Sequence, residues 1–179
     1  MLKFINFLSI FRSVAGIFIF CFLFLGTKYY VYAFLVFIVA SITDYFDGYL
    51  ARKYNLTSIE GEIIDPVADK MLITFVLIAI SVTLSSYFVG FMSTIIISRE
   101  IFVGALRDFN SRNNNAEATK VSFLAKIKTF FQMSVISLYL IGLMINDMLL
   151  LIFADILLFI AALITIKTGL DYYKNTFKK

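Results

Sequence analysis

The sequence predicts an all-α, polytopic membrane protein: six transmembrane helices plus a short N-terminal interfacial helix, forming a single domain over residues 1–179. Three observations predict it. Of the residues, 61% are hydrophobic, the mean hydropathy is +0.91 and only 16% are charged, against about 25% in a soluble domain. Apolar runs close to the ~20 residues that cross a bilayer recur along the chain, separated by short polar breaks. Finally, the basic residues fall almost wholly on one of the two sides that alternate crossing creates.

Each element follows in order. A short amphipathic start covers Met1 to about Ile10, and the first span runs from about Phe11 to Leu25. Gly26-Thr27-Lys28 interrupts it and a second apolar run begins at once, which fits a retained span better than a cleaved signal. The second span covers about Tyr29 to Arg52 and the third about Asp65 to Leu84. Pro66 fits the first turn of that third helix, with Asp65 as its N-cap, and Gly61 fits a chain reversal before it. Span four follows Ser85-Ser86 and reaches about Phe109; span five covers about Lys120 to Ile145. Asn146-Asp147 makes a turn, and span six runs from about Met148 to Tyr173 before a basic tail.

Numbering the ends alternately puts both termini and the 51–64 and 107–128 segments on one side. Of 16 Lys and Arg, only Lys28 lies on the other. That bias places both termini in the cytoplasm, which six spans permit, and the expected location is a cell membrane. The net charge of +4 suits anionic headgroups or phosphorylated substrates, and no soluble face is left for nucleic acid. Cys21 is the only cysteine, so no intrachain disulfide forms; the chain has no His, which excludes a His base, a His nucleophile and the common zinc sites.

Of 12 Asp and Glu, half lie between Asp44 and Asp69. Asp44 and Asp47 are three apart and Asp65 and Asp69 four apart, so each pair shares a helix face. Four carboxylates converging at a membrane edge require neutralisation, by protons or by divalent cations. Carboxylate oxygens without His or Cys suit hard cations, Mg²⁺ or Mn²⁺, and two pairs suit two ions, an arrangement that serves displacement at phosphorus. Gly48 and Ala51 leave room for a ligand beside the helix, and Arg52 suits phosphate oxygens. Each residue taken singly has a plainer reading, as an ion pair with Lys53 or Lys70 or as helix packing; the four Asp together favour a metal site.

The run Asp44-x2-Asp47-Gly48-x2-Ala51-Arg52-x8-Gly61-x3-Asp65-x3-Asp69 resembles the CDP-alcohol phosphatidyltransferase signature, with every fixed position filled. Further stretches are similar to its phosphatidylglycerophosphate synthase branch: Asn6-x2-Ser9-x2-Arg12, with Ser for the usual Thr; Asp65-Pro-Val-Ala-Asp-Lys70; Ser98-Arg-Glu-Ile with Ala105-Leu-Arg107; and Lys126-Ile-Lys128-Thr129. The resemblance implies a homodimer that transfers the phosphatidyl group of CDP-diacylglycerol to sn-glycerol 3-phosphate, releasing CMP.

On that resemblance Asp44, Asp47, Asp65 and Asp69 hold the two metals, and Asp69 is also the catalytic base. Gly48, Ala51, Arg52 and Gly61 line the donor's CDP pocket with Asn6 and Ser9. A phosphorylated acceptor needs cations, for which Arg107, Lys126, Lys128 and Arg99 are the candidates. Alternatives remain: the same chemistry on serine, inositol phosphate or phosphatidylglycerol, or a cation transporter, which predicts carboxylates nearer the bilayer midplane.

Overall fold

Six long helices and one 3₁₀ turn form along the described residues, in the order α1 (Leu2–Leu25), the turn Thr27–Tyr29, α2 (Tyr30–Tyr54), α3 (Ile59–Thr83), α4 (Tyr87–Arg112), α5 (Phe123–Ile145) and α6 (Met148–Phe177). The computed structural model describes residues 2–54, 59–113, 115 and 123–177, with side chains at 7–44, 46, 64, 67–113, 115 and 127–177. The basic tail expected at Lys178-Lys179 and the start expected for span five at Lys120 lie outside them.

Three turns reverse the chain, and each has a local cause. Gly26 takes φ +108° between α1 and α2, a region open to glycine. Ser85 (φ +48°) and Asn146 (φ +56°) make the other two reversals. The residue after each then caps the next helix: Ser86 Oγ accepts from the Val89 amide at 3.3 Å, and Asp147 Oδ1 accepts from the Leu149 and Leu150 amides at 2.9 and 3.2 Å.

Helix α1 lies along α3 over most of its length and also against α2; α4 and α5 pack on α6, with α3 joined to α4 and α2 to α5. Among the described glycines the closest approach to another helix's backbone is at Gly16, where a Cβ would sit 3.2 Å from Leu72 Cα and 3.3 Å from Phe75 Cβ. A small residue there lets two helix backbones close on each other. Ile19, Phe37, Leu72, Val76, Ile96, Tyr139 and Leu158 fill the interior, while Phe24, Phe91, Ile101, Phe130 and Leu149 stand exposed on the outer faces. Among the described residues four stretches are long and apolar enough to cross a membrane: Phe7–Leu25, Tyr87–Arg112, Ile127–Ile145 and Met148–Phe177. Apolar side chains both inside and outside mark an integral membrane protein.

Two expectations need correcting. No break separates an interfacial helix from the first span at Ile10: α1 is continuous from Leu2 to Leu25. Arg12, just past that expected boundary, has its charge met sideways by carboxylates on α2 and α3. Nor does α3 begin at Asp65. It is helical from Ile59, so Gly61 lies in helix and not in a reversal, and Asp65 is no N-cap. Pro66 is the eighth residue of the helix, where it has no N–H to give the Glu62 carbonyl.

Candidate active site

The carboxylate end is assembled by three helices. Arg12 of α1 is 1% exposed. Its Nη1 donates to Asp44 Oδ1 on α2, pairs at 2.9 Å with Asp69 Oδ1 on α3, and its Nη2 lies 3.3 Å from Ser9 Oγ. One guanidinium nitrogen thus touches carboxylates from two helices, which places Asp44 and Asp69 within the reach of a single cation. Both carboxylates keep an open side, at 37% and 41% side-chain exposure, so a ligand has access to them from that side.

Asp47 lies one helical turn beyond Asp44 in α2, and Asp65 one turn before Asp69 in α3. The side chains of Asp47 and Asp65 lie outside the described residues, as do those of Asn6, Ala51, Arg52 and Lys126; for these, and for Gly48 and Gly61, the helical backbone is what is described. Among the described residues no group of three or more carboxylates forms. Ser9 is fully buried beside Arg12.

A second polar cluster joins α4, α5 and α6. Arg99 Nη1 donates to Glu100 Oε1 at 3.0 Å, and the Lys128 ammonium pairs with the same oxygen. Arg99 Nη2 donates to Thr168 Oγ1 at 2.8 Å, and the Thr168 hydroxyl donates to the Ile164 and Thr165 carbonyls. Gln132 Nε2 donates to Thr165 Oγ1 at 3.1 Å. Arg99 and Lys128 are both buried, so the charges are affordable only because Glu100 sits between them. Gly169 makes room for this: a Cβ there would lie 3.0 Å from Arg99 Cγ.

Arg107 adjoins this cluster through Tyr172, whose ring also lies 5.7 Å from the Arg99 guanidinium. It is exposed, its guanidinium lies 5.5 Å from the Tyr172 ring centre, and Nη2 donates to Tyr172 Oη at 3.3 Å. The structure therefore brings Arg99 and Lys128 together on Glu100 and holds Arg107 through a neutral partner. A cavity of about 300 Å³ between α3 and α4, lined by Ser81, Ser93 and Ser98 among others, lies toward the Ser85 turn, away from the carboxylates.

Sequence reasoning does not see Glu100 as the partner shared by Arg99 and Lys128, nor Arg12 as the cation shared by Asp44 and Asp69. It also misses Thr168, Tyr172 and Gln132. Thr165, Thr168 and Tyr172 sit three and four residues apart in an otherwise apolar α6, and that polar stripe was the available signal. Asp155, unexplained by the sequence, accepts a 2.5 Å hydrogen bond from Tyr139 Oη.

Comparison with known proteins places the sequence in a family. The sequence profile for CDP-alcohol phosphatidyltransferase matches residues 3–167. The chain is 41% identical over 141 residues to the CDP-diacylglycerol–glycerol-3-phosphate 3-phosphatidyltransferase of Rickettsia bellii, an alignment covering 78% of this chain and 76% of that one. Proteins of the same name from Wigglesworthia glossinidia brevipalpis and Escherichia coli K12 are 34% identical over 143 residues (79% of this chain, 76% of that one) and 37% identical over 99 residues (55% and 54%). With the match spanning the helices that carry Arg12, Asp44, Asp69, Glu100 and Lys128, this chain belongs to the CDP-alcohol phosphatidyltransferase family.

Proposed function

We propose that this enzyme transfers the phosphatidyl group of CDP-diacylglycerol to sn-glycerol 3-phosphate, giving phosphatidylglycerophosphate and CMP. The observation that carries the reading is the convergence of Asp44 and Asp69, from two different helices, on one cationic nitrogen, in a chain similar to relatives that bear that activity's name. In the reaction the acceptor hydroxyl attacks the phosphatidyl phosphorus, a new O–P bond forms, and the bond to CMP breaks. Asp69 takes the hydroxyl proton as the bond forms.

Two divalent cations, Mg²⁺ or Mn²⁺, fit the donor set. All the assigned ligands are carboxylates, and the internal guanidinium between Asp44 and Asp69 marks a place where positive charge is favoured. Asp44, Asp47, Asp65 and Asp69 would hold them. When bound, such ions neutralise the donor's diphosphate and the departing CMP. Gly48, Ala51 and Gly61 leave room for the donor, and Arg52 and Asn6 supply polar contacts to its CDP moiety, while Ser9, expected there but fully buried, supports Arg12 instead. Arg107 and Lys126 take the acceptor's phosphate, with Lys128 and Arg99 behind them, held in place by Glu100.

The whole chain is one membrane domain in this reading. Six helices cross the bilayer, the residues ahead of Phe7 lie at its surface, and both termini and the site face the cytoplasm of a bacterial inner membrane. The enzyme works as a homodimer in membrane lipid.

The test is CMP release by purified protein in detergent with CDP-diacylglycerol and Mg²⁺ or Mn²⁺, adding one alcohol at a time. Release with glycerol 3-phosphate alone is the expected result. Release with serine, inositol phosphate or phosphatidylglycerol keeps the chemistry and changes the acceptor. No release with any alcohol, and cation flux in liposomes instead, overturns the reading.

A further inference from the structure

Lys70 follows Asp69 on α3 and is half-buried. Its ammonium lies against α4 at Gly104, where an added Cβ would sit 3.0 Å from Nζ. Any side chain at that position would take the space the ammonium uses. Gly104 is eight residues before the end of α4 at Arg112, about 12 Å along the axis at 1.5 Å per residue. The ammonium therefore lies along α4 between the levels of Glu100 and Arg107, where a charge is costly unless it is paired or faces a polar cavity.

Charge pairing singles Lys70 out. Arg12 is committed to Asp44 and Asp69, Arg99 and Lys128 to Glu100, and Arg112 to Asp108 at 2.9 Å. Among the described residues no carboxylate pairs with Lys70. Arg107 shares that condition: its partner is the neutral Tyr172. Arg107 is three residues beyond Gly104, on the same face of α4. An ammonium from α3 and a guanidinium from α4 thus flank one stretch of α4, neither paired with a carboxylate among the described residues, with Asp69 next to Lys70 on α3.

We infer that Lys70 binds the phosphomonoester of the acceptor, together with Arg107, between α3 and α4; this rests on the phosphate-bearing acceptor proposed above. A dianion placed there gives both cations a counter-charge, Lys70 binding as a compact point charge with three donors and Arg107 as a planar fork. Gly104 is the seat that lets the ammonium reach the phosphate. Since Lys70 and Asp69 are consecutive on one rigid helix, holding the phosphate on Lys70 sets the acceptor's position relative to the carboxylate that takes its proton.

The test uses the full chain in detergent, with wild type, Lys70→Gln, Lys70→Arg and Gly104→Ala. The acceptor KM and donor KM are measured separately, and the thermal midpoint is followed with glycerol 3-phosphate but no donor. Lys70→Gln should raise the acceptor KM about tenfold or more, the scale of a lost charged hydrogen bond, and leave the donor KM within about twofold. It should also abolish the midpoint rise that glycerol 3-phosphate gives wild type. Lys70→Arg should restore most of the acceptor affinity. Gly104→Ala should raise the acceptor KM by a smaller factor without lowering the midpoint of the ligand-free protein, because the atom it meets is the far end of a flexible side chain; this variant carries the test if Lys70→Gln does not fold. A rise in donor KM instead assigns Lys70 to the diphosphate and overturns the inference, as does an unchanged acceptor KM. Wild type that fails to use glycerol 3-phosphate sinks the functional reading itself.

Discussion

At Asp69 the chemistry comes down to one carboxylate. It is held from one side by Arg12 and open on the other, so replacing it with Asn keeps the shape and the Arg12 contact while removing the basicity. Asp69→Asn should lower the rate of CMP release by about 10²-fold or more, the range for a lost general base, with an unchanged elution profile. Retained turnover would remove Asp69 from its assigned role. Arg107 gives the complementary case. Its ring stacking and single hydrogen bond to Tyr172 leave most of its five N–H donors for a ligand. Arg107→Ala should therefore raise the acceptor KM far more than the donor KM, by about tenfold or more; an equal change in both would move the phosphate site elsewhere. The helical setting of the carboxylates was legible in the sequence because spacing is local: residues three or four apart in a helix share a face whatever the tertiary fold, and both stretches are helical. Their shared partner Arg12 was not, because a salt bridge across 32 and more positions depends on how three helices rotate against one another.

The helices show the same division. The turns at Gly26, Ser85-Ser86 and Asn146-Asp147 could be read from single residues, since positive φ and N-capping are properties of those residues and their immediate neighbours. The start of α3 could not. Gly61 and Pro66 are strong local signals for a break, yet the helix runs through both. Its first turns extend past the point where local propensity alone would start it, and α3 as a whole is the helix α1 lies along most extensively. Packing between whole elements also decides what a glycine is worth. At Gly16 an added methyl would meet the Leu72 backbone at 3.2 Å, and a backbone cannot swing aside. Gly16→Ala should destabilise the detergent-solubilised protein by about 1–3 kcal/mol, as overpacking does, seen as a lower thermal midpoint. Equal midpoints for this variant and wild type would mean that α1 can slide on α3 and that the contact does not set their spacing.

On the scale of the whole molecule, topology follows from where charge is allowed to rest. Consecutive long helices joined by tight turns run in opposite directions, so the turns at Lys28, Ser85 and Asn146 gather at one end of the bundle, and the ends of α2, α4 and α6 at the other. Basic residues retained on the cytoplasmic side fix orientation, and only Lys28 among the 16 Lys and Arg marks the turn end. The proposed orientation makes the end that carries Asp44, Asp69 and Arg107 the cytoplasmic one, where a water-soluble phosphorylated alcohol would reach a donor whose acyl chains stay in the bilayer. Single cysteines test this directly. In a chain where Cys21 is replaced by Ala, a cysteine at Lys28, Ser85 or Asn146 should react with a membrane-impermeant maleimide in intact cells with a permeable outer layer. A cysteine at Asn113 or Phe177 should react only after the inner membrane is opened. Labelling of both sets from the same side would show that fewer than six helices cross, and the reverse pattern would put the carboxylates outside, where a cytoplasmic donor and acceptor could not meet them.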